Sequence, residues 1–194
     1  MRPPFLLPSA GKPIVAGAAA FTGPARRPAL LTLYAAGVAL CVLLLPVMHR
    51  PSLRLVWNVS ASVPVGLYRI VHDAAPRRGE LVALRPSPAL ARYMAARRYV
   101  EAGALLVKPI AAVAGQRVCR AGLTVTIDGA SVATALVADS KQRPLPTWTG
   151  CHRLRPGTLF PLAPAVQASF DGRYFGPVAT SRVVGRAVPL WTWQ

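Results

Sequence analysis

Between Pro28 and Met48 the chain carries no charged residue, and nothing else in the sequence limits the possible folds as strongly. The stretch ALLTLYAAGVALCVLLLPV has the length a helix needs to cross a hydrocarbon core of about 30 Å. It has no polar face at any helical spacing, unlike a helix lying on the surface of a globular core. The spacing therefore predicts a transmembrane helix over 28–48. The preceding segment is 27 residues long and the exit reads PVMHR, without a small-x-small pattern, so an uncleaved anchor is expected rather than a signal peptide. Arg2, Lys12, Arg26 and Arg27 precede the run, whereas only Arg50 and Arg54 closely follow it. By the positive-inside rule this predicts a single-pass inner-membrane protein with its N-terminus in the cytoplasm and its C-terminal domain in the periplasm.

The rest divides simply. Residues 1–27, rich in Pro, Gly and Ala, are expected to form a flexible cytoplasmic tail without chemistry of its own. Residues 51–194 are long enough for one exported domain with a real core, but not for two enzymes. Apolar residues make up 53% of the chain, consistent with a part of it lying in lipid. Lys and Arg total 23 against 6 acidic residues, a formal charge of +17, which raises nucleic acid or an anionic bilayer as partners. The basic residues are scattered, with no run of five and no single helical face, so no specific nucleic-acid partner is expected. Cys41 lies in the anchor run, whereas Cys119 and Cys151 fall in the exported part, where an oxidising compartment permits a disulfide. No Cys/His spacing suggests a metal, and no cofactor motif occurs.

Beyond Arg50 the pattern is mainly β. LVALR, LLVKPIAAV, RVCR, LTVTIDG and VVGRAVPLW are each bounded by Gly or Pro. One short helix interrupts them, with Ser87 as N-cap, Pro88 in the first turn, and Leu90, Tyr93, Met94 and Arg97 at helical spacing up to about Arg98. The expected fold is a β-sheet assembly or partly closed barrel with one N-terminal transmembrane helix and a short helical insert.

Two segments point to chemistry. In NVSASVPVGLYRI, Asn58 to Ile70, Ser62 stands among small and apolar residues just before Pro64 and Gly66, which would set a sharp turn and present its hydroxyl. In LLVKPIAAVAG, Leu105 to Gly115, an extended strand puts Lys108 on one face with Leu106 and Ile110, while Val107, Pro109 and Ala111 take the other. Neither face looks solvated, and lysine is rarely buried without a reason. A free lysine has a pKa of about 10.4; apolar burial can lower it by roughly 3 units, which makes the amine a competent base near neutral pH. The nearest carboxylate in sequence is Glu101, seven positions away. His72 and His152 stand in no motif-like context and are read as surface imidazoles.

The ordered set of anchor, N-x-S-x-S-x-P-x-G-L-Y, apolar strand with one lysine, SFDGRYFGPV and VVGRAVPLW resembles the type I signal peptidase family, in particular its conjugative-transfer (TraF-type) branch. The resemblance runs from about Trp57 to Trp191. It implies Ser62 as nucleophile, Lys108 as general base, and Ser60 as a hydroxyl added to the oxyanion hole. It further implies that Ser169 hydrogen-bonds near the lysine and that the Asp171–Arg173 pair holds the wall of the site. The sequence departs from the pattern at Gly172, where a Ser is usual, and at Pro161, where a strand residue is common.

The implied activity is serine endopeptidase cleavage of a membrane-inserted precursor after a small residue. For this branch the substrate would be a pilin precursor, cleaved and in some cases cyclised, with conjugation or type IV secretion machinery as partner. A general signal peptidase is the alternative within the class. A non-catalytic membrane-tethered scaffold or nucleic-acid-binding module are the alternatives outside it, and neither accounts for a lysine in an apolar strand.

Overall fold

The computed structural model describes residues 27–48, 55–72 and 75–193. The chain divides into two units, Met1–Pro51 and Ser52–Gln194. In the first, α1 (Arg27–Met48) is a 22-residue helix over the uncharged run. Its side chains are described for 29–45 only. Among the described residues no helix is long and apolar enough to cross a membrane, so the membrane-spanning reading of 28–48 rests on the sequence. The expected tail, apart from Arg27, lies outside the described residues, as do Arg2, Lys12, Arg26, Arg50 and Arg54, which carry the charge bias.

The second unit is mainly β, as the sequence predicts. Its described strands are β1 (Leu55–Asn58), β2 (Val65–Val71), β3 (Leu81–Leu84), β4 (Leu106–Val113), β5 (Arg117–Ala121), β6 (Thr124–Ile127), β7 (Ala130–Thr134), β8 (Gly150–Arg153), β9 (Thr158–Pro161), β10 (Val178–Ala179) and β11 (Val183–Trp193). They form a seven-stranded sheet in the order β1-β2-β11-β3-β4-β9-β10 and a four-stranded sheet in the order β7-β6-β5-β8. The helical insert is α2 (Pro88–Ala96), between β3 and β4. Ser87 Oγ caps it by accepting from the Leu90 N–H at 3.2 Å, and it stops where Arg98 turns left-handed at φ 56°.

The apolar core falls into three clusters, and β4 contributes to every one. Ala112 packs with Val118, Val125, Phe160 and Leu162 between the two sheets. Val107 packs with Tyr68, Ile70, Ala83 and Ala187. Leu106 and Ile110 pack with Val82, Leu84 and Leu159 beneath Met94 of α2. A strand covered on both faces reads as a continuous apolar run, which is what LLVKPIAAV is. The single lysine in that run is thereby committed to the interior.

The link between Cys119 and Cys151, which the sequence permits but does not decide, is present. The two residues face each other across the β5–β8 ladder, 4.0 Å apart at Cα. The disulfide closes the excursion that contains β6 and β7.

Candidate active site

Three chain segments far apart in sequence converge on one point. The turn between β1 and β2 supplies Ser60 and Ser62, β4 supplies Lys108, and the segment after β9 supplies Ser169, Asp171 and Arg173. Lys108 Nζ donates to Ser62 Oγ at 2.6 Å and to Ser169 Oγ at 2.9 Å. Ser60 Oγ lies 3.0 Å from Ser62 Oγ, and the Ser62 N–H donates to Ser60 Oγ at 3.4 Å. The structure thus brings all six residues singled out from the sequence into one constellation.

The site is dry. Lys108 is 3% exposed and Ser62 9%. Burial pushes the Lys108 amine down from its ordinary 10.5 to about 8; the Asp171 carboxylate opposes this shift and Arg173 reinforces it. Glu101, the nearest carboxylate in sequence, is not among the causes; Asp171, sixty-three positions away, is the carboxylate that acts on the amine. Burial outweighs it because the carboxylate is already neutralised by its own partner.

That partner is Arg173. Its Nε donates to Asp171 Oδ1 at 2.9 Å and its Nη2 to Oδ2 at 3.0 Å, a bidentate pair with both residues almost wholly buried. Asp171 Oδ2 also accepts from the Ala163 N–H at 3.0 Å, and Oδ1 from the Arg173 N–H at 3.1 Å. Arg173 goes on to donate to the carbonyls of Ala163, Val166 and Gln167. Every lone pair and N–H of a buried ion pair must find such a partner, since an unpaired one would cost several kcal/mol. The result is a rigid frame for 163–171, and therefore for Ser169.

The two departures from the family pattern meet in space. Pro161 is the last residue of β9, opposite Ile110 of β4, so the strand before the box is formed despite the proline. A Cβ on Gly172, the first residue of α3 (Gly172–Phe175), would stand 2.5 Å from the Pro161 carbonyl oxygen and 2.7 Å from the Phe160 ring. Glycine is the residue that permits this close approach of box and strand.

Ser60, Ser62 and Lys108 open onto a cavity of about 270 Å3 walled by Met94, Tyr99, Leu106, Phe170 and Tyr174. A second cavity of about 650 Å3, bordered by Trp57, Glu101 and Leu105, shares Ser60, Tyr99, Leu106 and Lys108 with it. Ser60 and Lys108 therefore lie where the two hollows meet, a shape suited to an extended chain passing across them. At the rim, Asp139 accepts from Tyr99 Oη at 2.6 Å and pairs with Arg143 at 2.7 Å, and Arg143 holds its carboxyl well below the usual carboxylate range. These walls were not identified from the sequence. Their residues come from four separate segments, and no local spacing connects them.

His72 and His152 lie elsewhere, as expected. His72 Nδ1 is hydrogen-bonded to the Val184 carbonyl at 2.8 Å, and His152 packs against the Trp148 ring.

Comparison with known proteins places the chain. The family model described as signal peptidase, peptidase S26, matches residues 26–193. The probable conjugal transfer protein TraF of Sinorhizobium fredii is 35% identical over 146 residues, covering 70% of this chain and 76% of that protein. The conjugal transfer protein TraF of Agrobacterium fabrum is 36% identical over 148 residues, covering 71% and 82%. The plasmid transfer protein TraF of Escherichia coli is 28% identical over 145 residues, covering 70% and 82%. Among solved structures, a signal peptidase I from Enterococcus faecalis aligns with 58% of this chain and 97% of its own at 24% identity, with a TM-score of 0.34.

Proposed function

Since the chain belongs to the peptidase S26 family of signal peptidases, we propose that it is a membrane-anchored Ser/Lys endopeptidase that processes a membrane-inserted precursor, a conjugative pilin in particular. The observation that carries this is the buried 2.6 Å contact between Lys108 Nζ and Ser62 Oγ, with an amine that loses its proton near pH 8.

In this mechanism neutral Lys108 accepts the Ser62 proton as Oγ forms its bond to the scissile carbonyl carbon. Ser169 Oγ accepts one amine N–H, which turns the lone pair toward Ser62. Negative charge gathers on the carbonyl oxygen, where the Ser62 N–H and the Ser60 hydroxyl are the available donors. Ser60 leaves Ser62 Oγ to serve there. Lys108 then gives the proton to the departing amine as the C–N bond breaks, leaving an acyl-serine. A second nucleophile, water or the amino terminus of a pilin, surrenders a proton to Lys108 as it bonds to the acyl carbon, and Lys108 returns that proton to Ser62 Oγ as the ester bond breaks. Asp171 and Arg173 touch no reacting atom in this scheme; they hold Ser169 and the wall.

The location proposed is the inner membrane, with the catalytic domain in the periplasm. The charge bias around 28–48 supports it, and so does a disulfide, which persists in oxidising compartments. Trp57, Trp191 and Trp193 form an exposed cluster with ring centroids 5.5–6.5 Å apart, which suits the bilayer interface as a partner.

Mass spectrometry of a pilin-like substrate from cells with and without the protein tests this reading. Ser62→Ala, Lys108→Ala and Lys108→Arg should each leave the precursor unprocessed, because nucleophile and base act as one unit worth several powers of ten in rate and guanidinium stays protonated. A product lighter than the linear mature pilin by one water would assign cyclisation. Full processing by Lys108→Arg would make lysine a charge partner and sink the mechanism; unchanged processing in all three would favour a scaffold.

A further inference from the structure

The turn that presents Ser62 lacks the usual backbone support. Among the described residues, no backbone–backbone hydrogen bond outside the helices and strands involves residues 59–64. Six residues between two paired strands nevertheless hold a serine oxygen 2.6 Å from a lysine nitrogen on another strand.

Most of the missing support comes from one side chain. Asn58, the last residue of β1, is 4% exposed and pairs with Gly66 of β2 at the mouth of the turn. Its Nδ2 donates to the carbonyls of Ser60 at 2.8 Å, Val63 at 3.2 Å and Pro64 at 3.1 Å. Its Oδ1 accepts from the Ser60 N–H at 3.2 Å. The amide's two N–H groups are shared over three carbonyls on both sides of Ser62, and its oxygen takes the Ser60 N–H. Tyr68 adds a further tie, its Oη donating to the Pro64 carbonyl at 2.6 Å.

We propose that Asn58 is the positioning residue of the nucleophile: its buried amide takes the place of a backbone ladder within the turn and fixes Ser62 Oγ against Lys108. This inference rests on the Ser62/Lys108 reading above. The chemistry requires asparagine in particular. Leucine has the same size but no polar atom, and aspartate keeps the acceptor while losing both donors and setting a charge against three carbonyl oxygens. Asn58 has no hydrogen bond to Lys108, Ser169, Asp171 or Arg173, so its loss releases the serine and leaves the base in its apolar setting. A displacement of about 1 Å between reacting groups costs on the order of 100-fold in rate.

The test compares full-length Asn58→Leu and Asn58→Asp with the wild-type chain and Ser62→Ala, all in detergent. The probe is a synthetic precursor peptide with an apolar segment and an Ala-x-Ala exit. For the Asn58 variants kcat should fall about 100-fold with KM within about twofold, while the kcat/KM midpoint stays near pH 8 and melting remains cooperative. A general loosening of the site would instead admit water to Lys108 and move that midpoint toward 10.5. Such a move, a kcat within about threefold of wild type, or loss of cooperative melting in both variants would each overturn the inference while leaving the dyad intact. No cleavage by the wild-type chain, or cleavage surviving in Ser62→Ala, would overturn the peptidase reading and the inference together.

Discussion

Replacing Lys108 by methionine should abolish activity and at the same time stabilise the fold at neutral pH. Methionine has a similar length, no charge and no need of hydrogen bonds. The amine's pKa falls from 10.5 in the unfolded chain to about 8 in the folded one. Each unit corresponds to about 1.4 kcal/mol, so holding the protonated amine in the folded site costs roughly 3 kcal/mol. Because the folded state binds this proton less tightly, the cost is fully in force below about pH 8, shrinks between pH 8 and 10.5, and is gone above the unfolded value. Methionine removes it at every pH. The variant also forfeits the two hydrogen bonds to Ser62 and Ser169, worth about 1 kcal/mol each, so the net gain at pH 7 should be about 1 kcal/mol. The change with pH is free of that correction: relative to wild type, the variant should lose roughly 3 kcal/mol of advantage between pH 7 and pH 11. Urea unfolding of both full-length proteins in detergent, followed by tryptophan fluorescence at a series of pH values, measures it. A difference independent of pH over that range would mean an amine with an ordinary pKa, and the argument for Lys108 as base would fail.

Reducing the Cys119–Cys151 disulfide, or replacing both residues by serine, should lower stability by roughly 3–4 kcal/mol, since the bond closes a loop with a sequence separation of 32; thermal melting with and without reductant reads the loss, and an unchanged melting temperature would contradict it. Thiol labelling of the exported, non-reduced protein should find neither cysteine free. Gly66→Ala should be more damaging than its size suggests. Gly66 sits at φ 141°, and a Cβ there would lie 2.1 Å from the Trp191 carbonyl oxygen of β11. Shifting two paired backbones should cost about 3 kcal/mol and reduce turnover by displacing the Ser62 turn; a variant that melts and cleaves like wild type would refute the close approach.

What the sequence determined by itself was everything written in local chemistry or in linear order. The cap at Ser87 and the proline after it define α2 because helix initiation depends on neighbouring residues. The strand around Lys108 was legible because a strand buried on both faces needs an unbroken apolar run, and a charged residue inside one is conspicuous. The order of the motifs then carried the resemblance and the six site residues. Tertiary structure decided what depends on contacts between distant segments. β1 and β2 read only as flanks of a turn because their identity as strands comes from pairing with each other and with β11, at the far end of the chain. That Asp171 would oppose the lysine's shift, and Arg173 neutralise that carboxylate, could not be seen from the local neighbourhood of Lys108. Gly172 and Pro161 look like two unrelated departures in sequence, yet one close approach links them. The same holds for Asn58, whose local sequence marks a turn but not a buried amide with four hydrogen bonds. Burial and hydrogen-bond partners are set by what packs from elsewhere, and a linear sequence lists those residues without the distances between them.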